Sequence, residues 1–221
     1  MRIRTVIAAF AVVLSAAGIA GAWGLPSLPS TSSSYGDPDA FLERARKAEE
    51  LIDRSADSLF KAVASKEQQA KMEEMQKKLN ETTDDKEKNA LRQEITESEM
   101  ATIEKQAKDK EVQEEAKKWD ANKKKHVANA FYNFALGALQ AGLLVPEGTN
   151  LARAISSNPV NAVRLALKVK SVLESVKSIG GILVNTGKVI SALKPLMSAA
   201  DIQVKTPATA TEAPVDASKD I

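Results

Sequence analysis

The sequence predicts an all-α protein, built as an elongated antiparallel helical bundle with long helices and a projecting, charged, coiled-coil-like hairpin. The first observation is a run of apolar or small residues in alternating steps of three and four. This run, which we call the seam, consists of Ala162, Leu165, Val169, Val172, Val176, Ile179, Leu183, Thr186, Ile190 and Leu193. Its step keeps a narrow stripe on one side of a helix, so we expect the seam helix to lie lengthwise along others.

Composition supports the same fold class. Hydrophobic residues make up 43% of the 221 residues, enough to build a core, and aromatic residues only 4%. Good helix formers carry much of the chain, whereas alternating β-branched runs between turn residues are absent. Acid-to-base pairs four residues apart add about 0.2–0.5 kcal/mol each to exposed helices. These pairs are Glu67 with Lys71, Glu73 with Lys77, Glu74 with Lys78, Glu104 with Lys108 and Glu114 with Lys118.

The N-terminus has the pattern of a secretory signal. Arg2 and Arg4 precede an apolar run over residues 6–20, and Ala20-Gly21-Ala22 fits the small-x-small cleavage site. The pattern predicts a signal peptide over residues 1–22 and an exported protein of the bacterial periplasm or the extracellular space. An uncleaved membrane anchor is the alternative, because residues 5–22 are uncharged and this run is only slightly shorter than a spanning helix.

Charge and residue usage exclude several function classes. Without Arg2 and Arg4, the basic side chains equal the 29 acidic ones, which removes the support for nucleic-acid binding. The chain has no cysteine and a single histidine, His126, so it lacks a thiol nucleophile and the usual zinc ligands. We therefore expect no catalytic residues, no metal and no cofactor.

Three segments follow the signal. Residues 23–36 are rich in proline and serine, which predicts a flexible linker. Asp37 as N-cap and Pro38 at the first helical position predict the start of a single helical domain over residues 37–204. Residues 205–221 have the composition of a disordered tail.

The charged hairpin follows from a length argument. Residues 80–85 predict a turn, and a continuous helix is expected from about residue 86 to residue 145, ended by Pro146. Across that turn, residue 38 would lie opposite about residue 126. The tip, residues 64–110, has little apolar surface and would project from the bundle.

A second layout uses the same helices. Both long helices would bend, near Ser65 and near Thr102, and the hairpin would fold back into a compact bundle. Because the region has few apolar residues to bury, the projecting hairpin is the main prediction.

Residues 127–145 are uncharged and are the most informative stretch for function. Their number is close to that needed to span a membrane, but Asn129, Asn133 and Gln140 are costly in lipid. A buried core helix is therefore the main prediction, and membrane insertion the alternative. Trp119 is expected to pack against the bundle or to contact a partner. The full set of candidate membrane or partner contacts is Trp119, Lys123, Lys124, Lys125, Phe131, Phe134, Gly142 and Leu143.

These observations predict a non-catalytic, secreted or periplasmic helical protein that acts as a protein-interaction or structural module. Its partner would be a protein of unspecified identity, and self-association along exposed seams is a further expectation. Two alternatives remain open. One is a membrane-active, pore-forming-like protein that uses residues 127–145 at a membrane surface. The other is a carrier of an apolar ligand held within the bundle.

Overall fold

The computed structural model describes residues 37–157 and 165–217, and the predicted signal (1–22) and linker (23–36) lie outside this part of the chain. The described residues form six α-helices packed against one another, which confirms the all-α bundle. They are α1 (Pro38–Val63), α2 (Lys66–Glu81), α3 (Asp85–Ala107), α4 (Lys110–Ala116), α5 (Ala121–Ser157) and α6 (Ala166–Ala199).

Side-chain caps set the starts of the first four helices. Asp37 caps α1 with Pro38 in its first turn, as the sequence predicts. Ser65 and Gln68 form a reciprocal capping box at α2, and Asp84 and Asp109 cap α3 and α4. These caps satisfy backbone N–H groups that have no partner inside the helix. They also explain why the chain can stop and restart helices where no glycine or proline intervenes.

The centre of the bundle is the packing of α1 on α5. The backbones approach closely at Gly137, where an added Cβ would lie 2.7 Å from Cγ1 of Ile52. Gly148 is equally constrained, because a Cβ there would lie 2.5 Å from Cζ of Phe41. Since residue 41 meets residue 148 and residue 52 meets residue 137, the two helices are antiparallel. Arg44 adds a bidentate ion pair with Glu147 at the same end.

The predicted position of α1 in the bundle is wrong. The lengths of the predicted helices place residue 38 opposite residue 126, whereas the start of α1 lies beside Gly148 of α5. This placement assumes one helix from 86 to 145, but that segment breaks after Ala107 and again after Ala116. The apolar face of α1 is consequently free to pack on residues 127–145, where both surfaces lose water.

The prediction that Pro146 ends the helix is also wrong. Helix α5 continues through this proline to Ser157, although proline cannot donate the backbone hydrogen bond expected at its position. Packing on both sides offsets this cost, because Leu144 and Gly148 are buried just before and after it. Leu151, Ala152 and Ile155 extend the buried face beyond it.

The hairpin does not project over residues 64–110. Helix α3 packs against α1 and α6, so that the chain bends at Ser65, as the second layout expects, and at Lys108–Asp109 rather than near Thr102. The stripe on α3 looks broken in sequence because two polar residues, Thr96 and Glu99, are buried with it. The apolar residues of that stripe are Leu91, Ile95, Met100, Ile103 and Ala107. In α2, by contrast, Met72 is the buried residue.

The seam lies on α6, as predicted, and most of it faces the core. Val172, Ile179, Thr186, Ile190 and Leu193 are buried, and Thr186 donates its hydroxyl hydrogen to the carbonyl oxygen of Ile182. The predicted first seam residue, Ala162, lies outside the described residues. The helix passes through Pro195 and ends at Ala199, and Leu196 and Met197 beyond the proline are buried.

Candidate functional site

The C-terminal segment lies on the bundle instead of hanging free. After α6, Asp201 adopts φ 54°, and the N–H of Ile202 donates to the carbonyl oxygen of Met197. The chain then runs along α5, and we call residues 203–217 the strap. Pro207 of the strap is buried. The prediction of a disordered tail is therefore wrong for residues 205–217.

Three amide side chains of α5 hold the main chain of the strap. Asn129 donates to the carbonyl oxygen of Asp216 over 2.8 Å, and Gln140 donates to that of Ala210 over 2.9 Å. Asn133 makes two bonds to Val215: its amide nitrogen donates to the carbonyl oxygen, and its amide oxygen accepts the backbone N–H, both over 2.8 Å. The strap is antiparallel to α5, since its residue numbers rise as those of α5 fall.

The same face of α5 contributes a tyrosine. The hydroxyl of Tyr132 donates to Oε2 of Glu212 over 2.6 Å. Residues 129, 132, 133 and 140 share one side of a helix because their spacings are close to whole turns. We call Asn129, Tyr132, Asn133 and Gln140 the strap-binding face.

Glu212 links this face to a turn within the strap. Its Oε1 accepts the backbone N–H groups of Ala208, over 2.5 Å, and Thr209, over 2.8 Å. The hydrogen bond from Tyr132, followed by the one from the N–H of Thr209, lowers the pKa of the Glu212 carboxyl. The same bond raises the pKa of the Tyr132 hydroxyl. The ionised carboxylate is thus the form that the site favours.

Burial distinguishes this face from an ordinary polar surface. Asn133 is 5% exposed with the strap in place, so its amide makes hydrogen bonds to the strap rather than to water. Most strap side chains, including those of Thr209, Thr211, Ala213 and Pro214, are exposed. The strap is therefore held through its main chain and through Glu212, a mode that suits an extended peptide segment.

A second polar cluster lies along α1, where this helix faces α3 and α6. It consists of Glu49, Asp53, Asp57 and Glu99, which we call the acidic cluster. Glu99 is 2% exposed, and burial, followed by the charges of Asp57 and Asp53, raises its pKa to about 8. Burial also raises the pKa values of Glu49 and Asp53, and Asp53 accepts a hydrogen bond from the Thr96 hydroxyl over 2.9 Å.

The chemistry available to the acidic cluster is proton binding. One carboxylate oxygen each of Glu49, Asp57 and Glu99 is buried without a hydrogen-bond partner. A proton on Glu99 would give this carboxyl a donor and remove a buried charge close to Asp57 and Asp53. In the described part of the chain, no group of three or more histidine, aspartate or glutamate residues has a geometry that could hold a metal ion.

The predicted contact residues divide into exposed and buried sets. Phe131 and Phe134 are 1% and 0% exposed, which confirms the core interpretation and leaves neither available to a partner in this fold. Trp119 is half-buried against the core, with Nζ of Lys123 lying 4.7 Å from its ring centroid. The remaining candidates are exposed or half-buried, and these are Lys124, Lys125, Gly142 and Leu143.

The sequence did not identify the strap-binding face as a site. Asn129, Asn133 and Gln140 counted only as a cost against membrane insertion. Their shared signal was present, because all three are amides on one side of an otherwise uncharged helix. No helix among the described residues meets the length and hydropathy of a membrane span.

Comparison with known proteins adds no assignment to this geometry. The chain matches no protein-family model, no curated protein and no solved structure.

Proposed function

We propose that the protein is a non-catalytic, exported helical interaction module, and that the strap-binding face is its docking site for an extended peptide segment. The double hydrogen bond between Asn133 and the main chain of Val215 carries this proposal. This pair of bonds is of the kind that binds an extended peptide through its main chain, and it supports the proposal with residues 203–217 as the occupant. The N-terminal signal pattern supports the exported location.

The geometry favours binding of a peptide over structural packing alone. A strap that served only to cover apolar surface would bury its side chains, yet the strap side chains next to the Asn133 and Tyr132 bonds are exposed. Main-chain recognition gives affinity without requiring one particular sequence, which is how surfaces that bind extended segments operate. Self-association along exposed seams stays a prediction.

Binding in trans tests the proposal. A chain that ends at Gln203 should keep its helical circular-dichroism spectrum and bind a labelled peptide of residues 204–221 with one-to-one stoichiometry, measured by fluorescence anisotropy. Asn133→Leu in the same shortened chain should abolish binding, because the main chain of residue 215 loses both of its hydrogen bonds to Asn133. Asn150→Leu is the matched control, since Asn150 is exposed on α5 outside the face. A folded shortened chain that binds no peptide would overturn the proposal.

A further inference from the structure

We propose that the partner of this module presents an extended segment whose glutamate takes the position of Glu212, and that the strap is an intramolecular competitor for that segment. This inference rests on the proposed function, because it names the ligand class of the same face. It commits to a partner of defined chemistry, a short extended segment that carries this glutamate, rather than to a second copy of the chain.

Selectivity depends on Glu212 because the other contacts described for the face are to main-chain atoms. Asn129, Asn133 and Gln140 form hydrogen bonds with backbone carbonyl and N–H groups. Every residue has both groups except proline, which lacks the N–H. A face with only such contacts would accept many sequences. The Tyr132 hydroxyl instead donates to a side chain, and a carboxylate accepts that bond more strongly than a neutral amide does.

The glutamate also shapes the segment that carries it. Its Oε1 accepts the backbone N–H groups of Ala208 and Thr209, which closes a turn three to four residues upstream. This is the geometry by which a glutamate three residues after threonine stabilises a turn or a helix start. A partner segment with a threonine or serine three residues before its glutamate would form the same turn when it binds.

The competition follows from how the strap is tethered. Residues 203–206 are the first part of the strap and connect its hydrogen-bonded part to the chain after α6, and all four are exposed. A short tether gives the strap a high effective concentration at the face, so a partner segment of equal intrinsic affinity binds the intact chain weakly. A substitution of Glu212 that weakens the hydrogen bond from Tyr132 should therefore strengthen binding of an added segment, although the strap-binding face itself is unchanged.

The experiment uses the full chain with the Glu212→Gln substitution and, as probe, a labelled peptide of residues 207–217. We expect this peptide to bind the Glu212→Gln chain about tenfold more tightly than the wild-type chain, the effect of about one charge-assisted hydrogen bond. A second peptide with glutamine at position 212 should bind the same chain about tenfold more weakly than the first. Glu43→Gln, an exposed site on α1, is the control substitution and should leave binding at the wild-type level.

Tyr132→Phe assigns the discrimination to its cause. In a chain that carries both Glu212→Gln and Tyr132→Phe, the two peptides should bind more nearly alike, because the donor to the carboxylate is gone. If the glutamate and glutamine peptides bind equally to the Glu212→Gln chain, this inference is overturned while the proposed function stands. If neither peptide binds any of the full-length chains, this inference is overturned. Peptide binding to the chain that ends at Gln203 then shows whether the proposed function is overturned as well.

Discussion

The buried carboxyl of Glu99 offers a sharp test of how α3 joins the bundle. Its pKa is raised from 4.5 to about 8, first by burial and then by the charges of Asp57 and Asp53. The unfolded chain releases this proton near pH 4.5, whereas the folded chain keeps it until about pH 8. Between these values the unfolded state binds fewer protons, so stability falls as the pH rises through this window.

Glu99→Gln removes the ionisation but keeps the shape of the protonated side chain. One pKa unit corresponds to about 1.4 kcal/mol. Linkage then predicts that the substitution raises the free energy of unfolding by about 1 kcal/mol at pH 5, about 3 kcal/mol at pH 7 and about 5 kcal/mol at pH 9. The increase arises because the wild-type chain loses stability in either protonation state. Below about pH 8 folding must protonate Glu99, and above it the buried carboxylate lies close to Asp57 and Asp53.

Urea denaturation of both chains at these three pH values measures the difference. The dependence of the free energy on urea concentration should be the same for both chains, so that the shift in midpoint reports stability alone. Glu97→Gln is the matched control, because Glu97 is exposed on the same helix and its substitution should change stability by less than about 0.5 kcal/mol. Equal unfolding free energies of wild type and Glu99→Gln at pH 9 would refute the burial of this carboxyl and the docking of α3.

Three further predictions concern α5 and the strap. Gly148→Ala should destabilise the bundle by about 1–3 kcal/mol in thermal or urea unfolding, because its Cβ would overlap Phe41. Gly142→Ala has open space around it and should stabilise the bundle by up to about 1 kcal/mol. Equal effects of the two substitutions would contradict the close packing at Gly148. Leu143→Lys should leave the fold intact, since Leu143 is half-buried and outside the core; dye release from liposomes by the wild-type chain, lost in this variant, would instead favour the membrane-active alternative. The pKa of Glu212 is lowered in the folded chain, so its contribution to strap binding is present above the unfolded pKa and is lost as the pH falls through the folded pKa. Backbone amide exchange at Thr209, corrected for its intrinsic rate, should therefore become less protected on acidification. Unchanged protection would contradict the role of the carboxylate.

The candidate site shows where sequence reasoning stopped. The uncharged stretch of α5 was identified as the most informative for function, and the core positions of Phe131 and Phe134 were predicted correctly. The strap was not predicted, because Val215 pairs with Asn133 from 82 residues away and a polar, proline-containing tail has no local pattern that differs from disorder. Amide side chains on one helix face indicate that hydrogen-bonding groups lie opposite them, but they do not indicate which segment of the chain supplies those groups.

The helical class, the capped start at Asp37 and the buried side of α6 follow from the sequence, because caps and apolar periodicity act within a few residues. Which helix faces meet depends instead on contacts between residues far apart in the chain. Helix α3 packs on the bundle because its apolar residues, including Ile95, Met100 and Ile103, are buried there. Thr96 and Glu99 are buried beside them, and such polar residues interrupt the apolar pattern in the sequence. Helix α5 likewise continues through Pro146 because contacts from α1 and α6 at Gly148 outweigh a local helix-breaking signal. Local propensity is worth about 1–3 kcal/mol at such positions, which packing between helices distant in sequence readily exceeds.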